Sequence, residues 1–309
     1  MVTMKKRELI SIVVLLFFFL CSPKEALFAA EVAVIKSDDN MAYDKALSGF
    51  REALGTDVNI SIYSMKGDST IGREIIKEVK LKNPQAILAI GARALDISQE
   101  EIEQIPIVFC MVFDIQKYKV KGRNITGVEL RASPKEQFLV LKTVMPSVRN
   151  IGVIYNPDNS RQIVEEGKAA SKELSIKLIE KGVAEQQELS RALNELSNSM
   201  DVLWLVPDAT VASEETFRYF LSFTIERNIP LLVFSESLVK CGALLSVSPD
   251  YHNVGSLAGD LINKILKGRA PVGLPIAYPK GEVSVNLHTA EALKIKVPED
   301  VRRKAKTVF

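Results

Sequence analysis

The strongest constraint on this 309-residue chain is that four strand-like runs occur twice, in the same order and at nearly the same spacing. Val32-Ala33-Val34-Ile35 returns 119 residues later as Ile151-Gly152-Val153-Ile154-Tyr155. Asp57-Val58-Asn59-Ile60-Ser61-Ile62-Tyr63 has its counterpart in Ile176-Lys177-Leu178-Ile179-Glu180. Ala86-Ile87-Leu88-Ala89-Ile90-Gly91 is answered 116 residues on by Val202-Leu203-Trp204-Leu205-Val206-Pro207. Ile105-Pro106-Ile107-Val108-Phe109 comes back, offset by 124, as Ile229-Pro230-Leu231-Leu232-Val233-Phe234. One apolar run carries little information, but an ordered set of four implies two similar lobes. Two lobes in one chain leave a cleft between them, and clefts are where ligands bind.

The segments between these runs carry helical patterns. In the stretch 43–54, Ala46, Leu47, Phe50, Ala53 and Leu54 form one apolar stripe, and Gly55 stops it. Helices are expected at 70–81, 98–104, 162–174, 188–197, 214–226 and 253–266, and another from Ser133-Pro134, which suits a helix start, to Met145-Pro146. Further strands are expected at 243–247 and 282–286. Strands alternating with helices, with the strands read as continuous apolar runs, give an α/β class with parallel sheets covered on both faces.

Composition excludes some functions. The formal charge of +2 is small and dispersed, so nothing draws the chain to nucleic acid. The N-terminus reads as a signal peptide over 1–30, with basic Lys5-Lys6-Arg7, an apolar run over 9–21 and small Ala29-Ala30. Thirteen helical residues rise only about 20 Å, short of a bilayer core. Cleavage after Ala29 or Ala30 is the expectation; lipid attachment at Cys21 stays as the alternative, although Leu20 stands where a small residue is wanted. Of the remaining thiols, Cys110 and Cys241 are read as two buried small residues rather than a bridge, and their spacing alone does not decide it.

Several motifs then stand together: Ile105-Pro106-Ile107-Val108-Phe109 with Asp114, Asn124-Ile125-Thr126-Gly127-Val128, and Gly152-Val153-Ile154-Tyr155-Asn156-Pro157. They are followed by Pro207-Asp208, Gly242-Ala243-Leu244, Asp250-Tyr251 with Gly255, Ile265-Leu266-Lys267-Gly268 with Leu274-Pro275, and Asn286-Leu287 before Ala290. In this order they resemble the ABC-transporter substrate-binding protein family that includes tryptophan-binding members. The resemblance implies a type I periplasmic-binding-protein fold, two Rossmann-like lobes joined by about three crossings, closing on a small polar solute such as an amino acid. It further implies an extracytoplasmic, monomeric protein that hands its ligand to a membrane permease driven by an ATPase. The expected division is a first lobe over 31–126, with 243–272 returning to it, and a second lobe over 127–242, with 273–305 returning to the hinge or to that lobe. A periplasmic sensor of the same fold is the alternative function, and a secreted α/β enzyme a more distant one. Relatives often carry Asp-Pro after the first-lobe strand, whereas Asp114 here precedes Ile115, which leaves the ligand class open.

In open parallel sheets ligands sit beyond the carboxyl ends of strands. Those loops nominate Gly91, Ala92, Arg93 and Asp114 in the first lobe, and Asn156, Asn159, Ser160, Asp208 and Glu236 in the second. Asp250 lies near an expected crossing. Arg93 could clamp a carboxylate or be a solvated charge at a helix start. Asn159 and Ser160 could cap a helix or bind a carboxylate at its free N–H groups. Asp114, Asp208 and Glu236 could neutralise an ammonium or serve as caps. Trp204, in mid-strand, is expected in the core, while Phe113 and Tyr155, at strand ends, are expected to form an apolar wall. His252 and His288 have no partner at metal-ligand spacing, and no nucleophile elbow or phosphate loop follows any strand. The sequence therefore predicts no catalytic residues, no metal and no cofactor.

Overall fold

The structure is a computed structural model and describes residues 30–113, 115–118, 120 and 122–309. Of the expected signal peptide only Ala30 falls among the described residues, where it opens the first strand; Asp114 also lies outside them.

The first sheet contains β1 (Ala30–Lys36), β2 (Val58–Ser64), β3 (Ala86–Ile90), β4 (Ile107–Val112) and β5 (Ile125–Glu129). All its neighbours pair in parallel, in the order β2-β1-β3-β4-β5. Helices α1 (Met41–Ala53), α2 (Ser69–Lys82) and α3 (Ala92–Glu101) make the connections. The second sheet contains β6 (Asn150–Tyr155), β7 (Lys177–Gly182), β8 (Val202–Trp204), β9 (Leu231–Val233), β10 (Leu245–Pro249), β11 (Gly281–Val285) and β12 (Thr307–Val308). Its order is β12-β11-β10-β9-β8-β6-β7, so its first five strands repeat the first sheet's order. The four echoed runs are β1 and β6, β2 and β7, β3 and β8, β4 and β9. Among the described residues only β10 and β11 pair antiparallel. Around this sheet lie α4 (Pro134–Val144), α5 (Pro157–Glu173), α6 (Leu189–Ser197), α7 (Glu214–Glu226) and α8 (Glu236–Lys240). The two lobes match the type I periplasmic-binding-protein architecture.

Burial explains why the strands read as unbroken apolar runs. Every residue of β3 and β4 is buried. Successive residues serve opposite faces: Ile87, Ala89, Ile107 and Phe109 join one core cluster, and Ala86, Leu88, Val108 and Cys110 another. Each such fully buried Val, Leu, Ile or Phe side chain contributes about 1.5–3 kcal/mol. Trp204 lies in the second lobe's core as expected, 1 % exposed, with its Nε1 donating to Gln137 Oε1 at 2.8 Å and Phe138 edge-on at 4.9 Å.

Three segments cross between the lobes. The first, 130–133, leads from β5 to α4. The second is at Asp250, between β10 and α9 (Tyr251–Leu266). That helix lies on α1 of the first lobe at backbone contact: a Cβ on Gly255 would stand 1.7 Å from the Ala46 carbonyl oxygen, and one on Gly49 2.0 Å from that of His252. The third crossing returns from α9 to β11 alongside β5, where the Ala277 N–H donates to Gly127 O at 3.0 Å and the Glu129 N–H to Ala277 O at 2.9 Å. Two short helices, α10 (Leu287–Ala292) and α11 (Glu299–Lys304), complete the chain before β12. Among the described residues no helix is long and apolar enough to cross a membrane.

Sheet membership departs from the expected division in two places. β5 runs on to Glu129, beyond 126, because its pairing with β4 resumes at Val112 and Glu129 after a shift in register past Phe109 and Gly127. β10 stays in the second sheet, paired with β9 and β11, and the chain reaches the first lobe with the helix after it. Two helices also start early. α3 begins at Ala92 rather than 98, because Gly91, with φ 93°, turns the chain directly off β3. α5 begins at Pro157 rather than 162; Asn156 caps it by accepting the Asp158 N–H, and non-helical Ser160 kinks it. Cys110 is buried as expected and Cys241, which ends α8, is exposed; both thiols are free.

Candidate functional site

The carboxyl ends of both sheets face a cleft with two connected chambers of about 210 and 420 Å³. Phe113, Leu130 and Arg131 from the first lobe and its crossing, with Ile163 and Pro207 from the second, line both chambers. Phe113 follows β4 and is 50 % exposed, a large aromatic face held toward solvent. Opposite it, Pro157 and Ile163 come from the first turns of α5, whose cap at Asn156 fixes where they stand.

Polar side chains also line the smaller chamber: Glu129, Arg131, Asp158, Asn159, Arg161 and Gln162. Arg131 is 8 % exposed and sits in a network drawn from three elements. Its Nε donates to Glu129 Oε1 at 3.3 Å, and its Nη2 donates to both Glu166 oxygens of α5, at 2.9 and 2.8 Å. Nη2 also reaches the Tyr278 hydroxyl of the third crossing at 3.3 Å, and the guanidinium lies 5.1 Å from that ring's centre. Burial opposes the charge on Arg131, but Glu129 and Glu166 outweigh it and hold the guanidinium above its ordinary pKa. Burial raises Tyr278 to about 12, against the lowering pull of Arg131 and with help from Glu166 and Glu129. The larger chamber is bounded by Glu236 and Tyr251 and by Glu282, which pairs with Lys306. Burial disfavours the Lys306 charge, yet Glu282 and Glu236 keep its pKa raised.

The expected site residues divide between cleft and scaffold. Asn159 lines the smaller chamber and Glu236 the larger. Asp208, 5 % exposed, lies just behind the cleft, and its carboxylate already accepts three hydrogen bonds. They come from the Asn156 N–H at 2.8 Å, the Thr210 N–H at 2.8 Å and the Asn159 Nδ2 at 3.2 Å. Asn156 gives its Nδ2 to Ala184 O and Thr210 Oγ1, and buried Ser160 donates to Pro207 O at 3.1 Å. Together Asn156, Ser160 and Asp208 tie the β6–α5 turn to the loop after β8. Asp250 caps α9, accepting the His252 N–H at 2.9 Å, while its neighbours Pro249 and Tyr251 line the larger chamber.

Gly91, Ala92 and Arg93 stand at the end of β3 and line neither chamber. Arg93 Nη1 donates to Gly67 O at 2.9 Å, spanning the loops after β2 and β3. Gly91 backs onto Tyr43 and Ser37, whose side chains a Cβ would meet at 2.4 and 2.7 Å. Of the two expected wall aromatics, Phe113 is in place. Tyr155 is instead 5 % exposed in the second lobe's core, its hydroxyl donating to Glu180 Oε2 at 3.1 Å, because it is still paired with β7 inside the covered sheet, whereas Phe113 lies one residue past β4. Glu129 and Arg131 were not among the expected residues; the available signal was a pair of opposite charges two residues apart, between a strand and the helix start at Ser133-Pro134.

Comparison with known proteins gives a consistent picture. The chain is 25 % identical over 274 residues to a tyrosine-binding protein of Clostridioides difficile (strain R20291), covering 84 % of this chain and 79 % of that one. Its fold matches the ligand-free, open structure of a substrate binding protein with adhesive properties from Clostridium difficile, with a TM-score of 0.70 at 23 % identity, over 90 % of this chain and 99 % of the other. A structure from Streptococcus pneumoniae in complex with L-Trp matches with a TM-score of 0.55 at 23 % identity, over 91 % of this chain and 99 % of that one. A family model described as ABC transporter substrate binding protein matches residues 31–309, from the first strand to the C-terminus, and the chain belongs to that family.

Proposed function

We propose that this protein is the secreted solute-binding component of an ABC import system and that its ligand is an aromatic amino acid. The observation that carries the ligand class is the mixed lining of the cleft. Exposed Phe113, with Leu130, Pro157, Ile163 and Pro207, offers apolar walls, while Glu129, Arg131 and Asp158 bring both signs of charge to the same lining. Such a site suits a solute with a flat apolar side chain and a zwitterionic head, since apolar walls supply affinity and a few placed polar groups supply orientation. The tyrosine-binding relative and the L-Trp complex of a neighbour in fold support the same class. Phe113, Asn159 and Glu236 are then ligand neighbours, and Asn156, Ser160 and Asp208 the scaffold that aims them.

In this role the lobes close about the three crossings, and the closed form is presented to a permease coupled to an ATPase outside the cytoplasm. The test is a thermal-shift and calorimetric screen of the mature protein with the twenty amino acids. L-Tyrosine, L-tryptophan or L-phenylalanine at 100 times its Kd should stabilise the fold by about 2.7 kcal/mol. Stabilisation by aliphatic or charged amino acids alone would refute the aromatic class, and binding to none of the twenty would refute an amino acid altogether. Delivery is checked separately by uptake into vesicles carrying the cognate permease; uptake that does not depend on this protein would remove the transport role.

A further inference from the structure

We infer that Arg131 is the receptor for the ligand's carboxylate, and hence that the cleft requires a free carboxyl group; this rests on the amino-acid reading above. Arg131 is nine-tenths buried and lines both chambers, so it stands where they join. Its Nε and Nη2 are engaged by Glu129, Glu166 and Tyr278, whereas its Nη1 is fully buried and has no hydrogen-bond partner among the described residues. A buried guanidinium nitrogen left unpaired is costly, because its donors have lost water and gained nothing in return. The scaffold around it is complete: two carboxylates hold the plane from the β5 end and from α5, and an aromatic ring stacks against it. That is a guanidinium fixed in orientation with one edge unpaired; the edge is closed to solvent in this form, so a carboxylate reaches it as the lobes move.

The other cations at the cleft fit the task less well. Arg161 is exposed, so a carboxylate bound there would remain largely screened by water. Lys306 is taken by Glu282, with Glu236 close by. Arg93 is turned to Gly67 and lines neither chamber. Arg131 also has a mechanical advantage. It lies on the first crossing and touches Tyr278 of the third, so a carboxylate drawn to Nη1 pulls on two of the segments about which the lobes move.

The experiment is calorimetric titration of the mature wild type, Arg131→Gln and Arg131→Lys with three probes: L-tryptophan, tryptamine (no carboxylate) and indole-3-propionate (no ammonium). Expected are binding of L-tryptophan and indole-3-propionate by wild type, and loss of affinity for tryptamine by about 10- to 100-fold, the range for one charge-assisted hydrogen bond. Arg131→Gln should weaken L-tryptophan by the same factor and bind it and tryptamine within about threefold of each other, and Arg131→Lys should recover part of the difference. If Arg131→Gln keeps the wild-type preference for L-tryptophan over tryptamine, or weakens both equally, Arg131 is scaffold and the inference is wrong. A crystal structure of wild type with L-tryptophan decides the matter even if the Gln variant does not fold: a carboxylate within about 3.2 Å of Nη1 supports it, and a carboxylate held elsewhere overturns it. Were the ligand a non-aromatic amino acid, the aromatic reading would fall, and the comparison of that amino acid with its amine would decide Arg131 in the same way.

Discussion

Asp208→Ala separates scaffold from ligand contact at this cleft. The carboxylate is buried and accepts the N–H groups of Asn156 and Thr210, both at 2.8 Å, together with the Asn159 amide. A hydrogen bond to a charged group contributes about 1.5–3 kcal/mol. Asn156 and Thr210 are only half-buried, so water reaches their freed N–H groups and offsets part of that loss. The net destabilisation expected is about 2–4 kcal/mol, or roughly 5–15 °C in Tm for a chain of this size. Urea unfolding of the ligand-free protein, followed by the emission of its single, buried tryptophan, Trp204, measures it. Asp208→Asn, which keeps one acceptor oxygen but turns an NH₂ toward a donor, should fall between the two. If Asp208→Ala leaves the ligand-free stability within about 0.5 kcal/mol of wild type while ligand affinity collapses, the carboxylate serves the ligand's ammonium and the scaffold assignment is wrong.

Three further outcomes follow from the same geometry. Phe113→Ala, at a half-exposed position, should leave unfolding free energy within about 0.5 kcal/mol of wild type and weaken an aromatic ligand by about 1–2 kcal/mol in calorimetry; a stability loss without an affinity loss would place the ring in the core instead. Gly255→Ala puts a methyl 1.7 Å from the Ala46 carbonyl oxygen, so α9 must lift off α1, and denaturation should show a loss of at least about 2 kcal/mol. A maleimide should label Cys241 promptly in the native protein and Cys110 only on unfolding, since Cys110 is buried and its thiol is pushed far above the usual range by that burial; rapid labelling of both by mass spectrometry would contradict the packing of β4.

The repeat was readable because a strand covered on both faces has to be apolar at every position, whichever way each side chain points. That is why Ala86–Ile90 and Ile107–Val112 were recognisable along with their counterparts, and why two similar α/β lobes follow from them. The resemblance to a binding-protein family likewise rested on these buried runs and the turns between them. The cleft was readable only in part. Asn159 and Glu236 were found because the loops after strands can be named from the chain, and Phe113 because it ends one. Tyr155 ends a strand too, but it is still paired within the sheet and packs in the core, whereas Phe113 stands one residue beyond β4.

The fold class and the existence of a cleft were thus determined by the amino-acid order alone, through the pattern of apolar runs. Which charges meet inside the cleft was decided by tertiary structure. Arg131, Glu166 and Tyr278 are scattered over 147 residues and become neighbours only because one crossing, one helix and a second crossing pass the same point. A buried strand declares itself by composition, since burial is a property of each residue on its own. A polar site is a property of distances between residues, and the strand order and crossings set those distances.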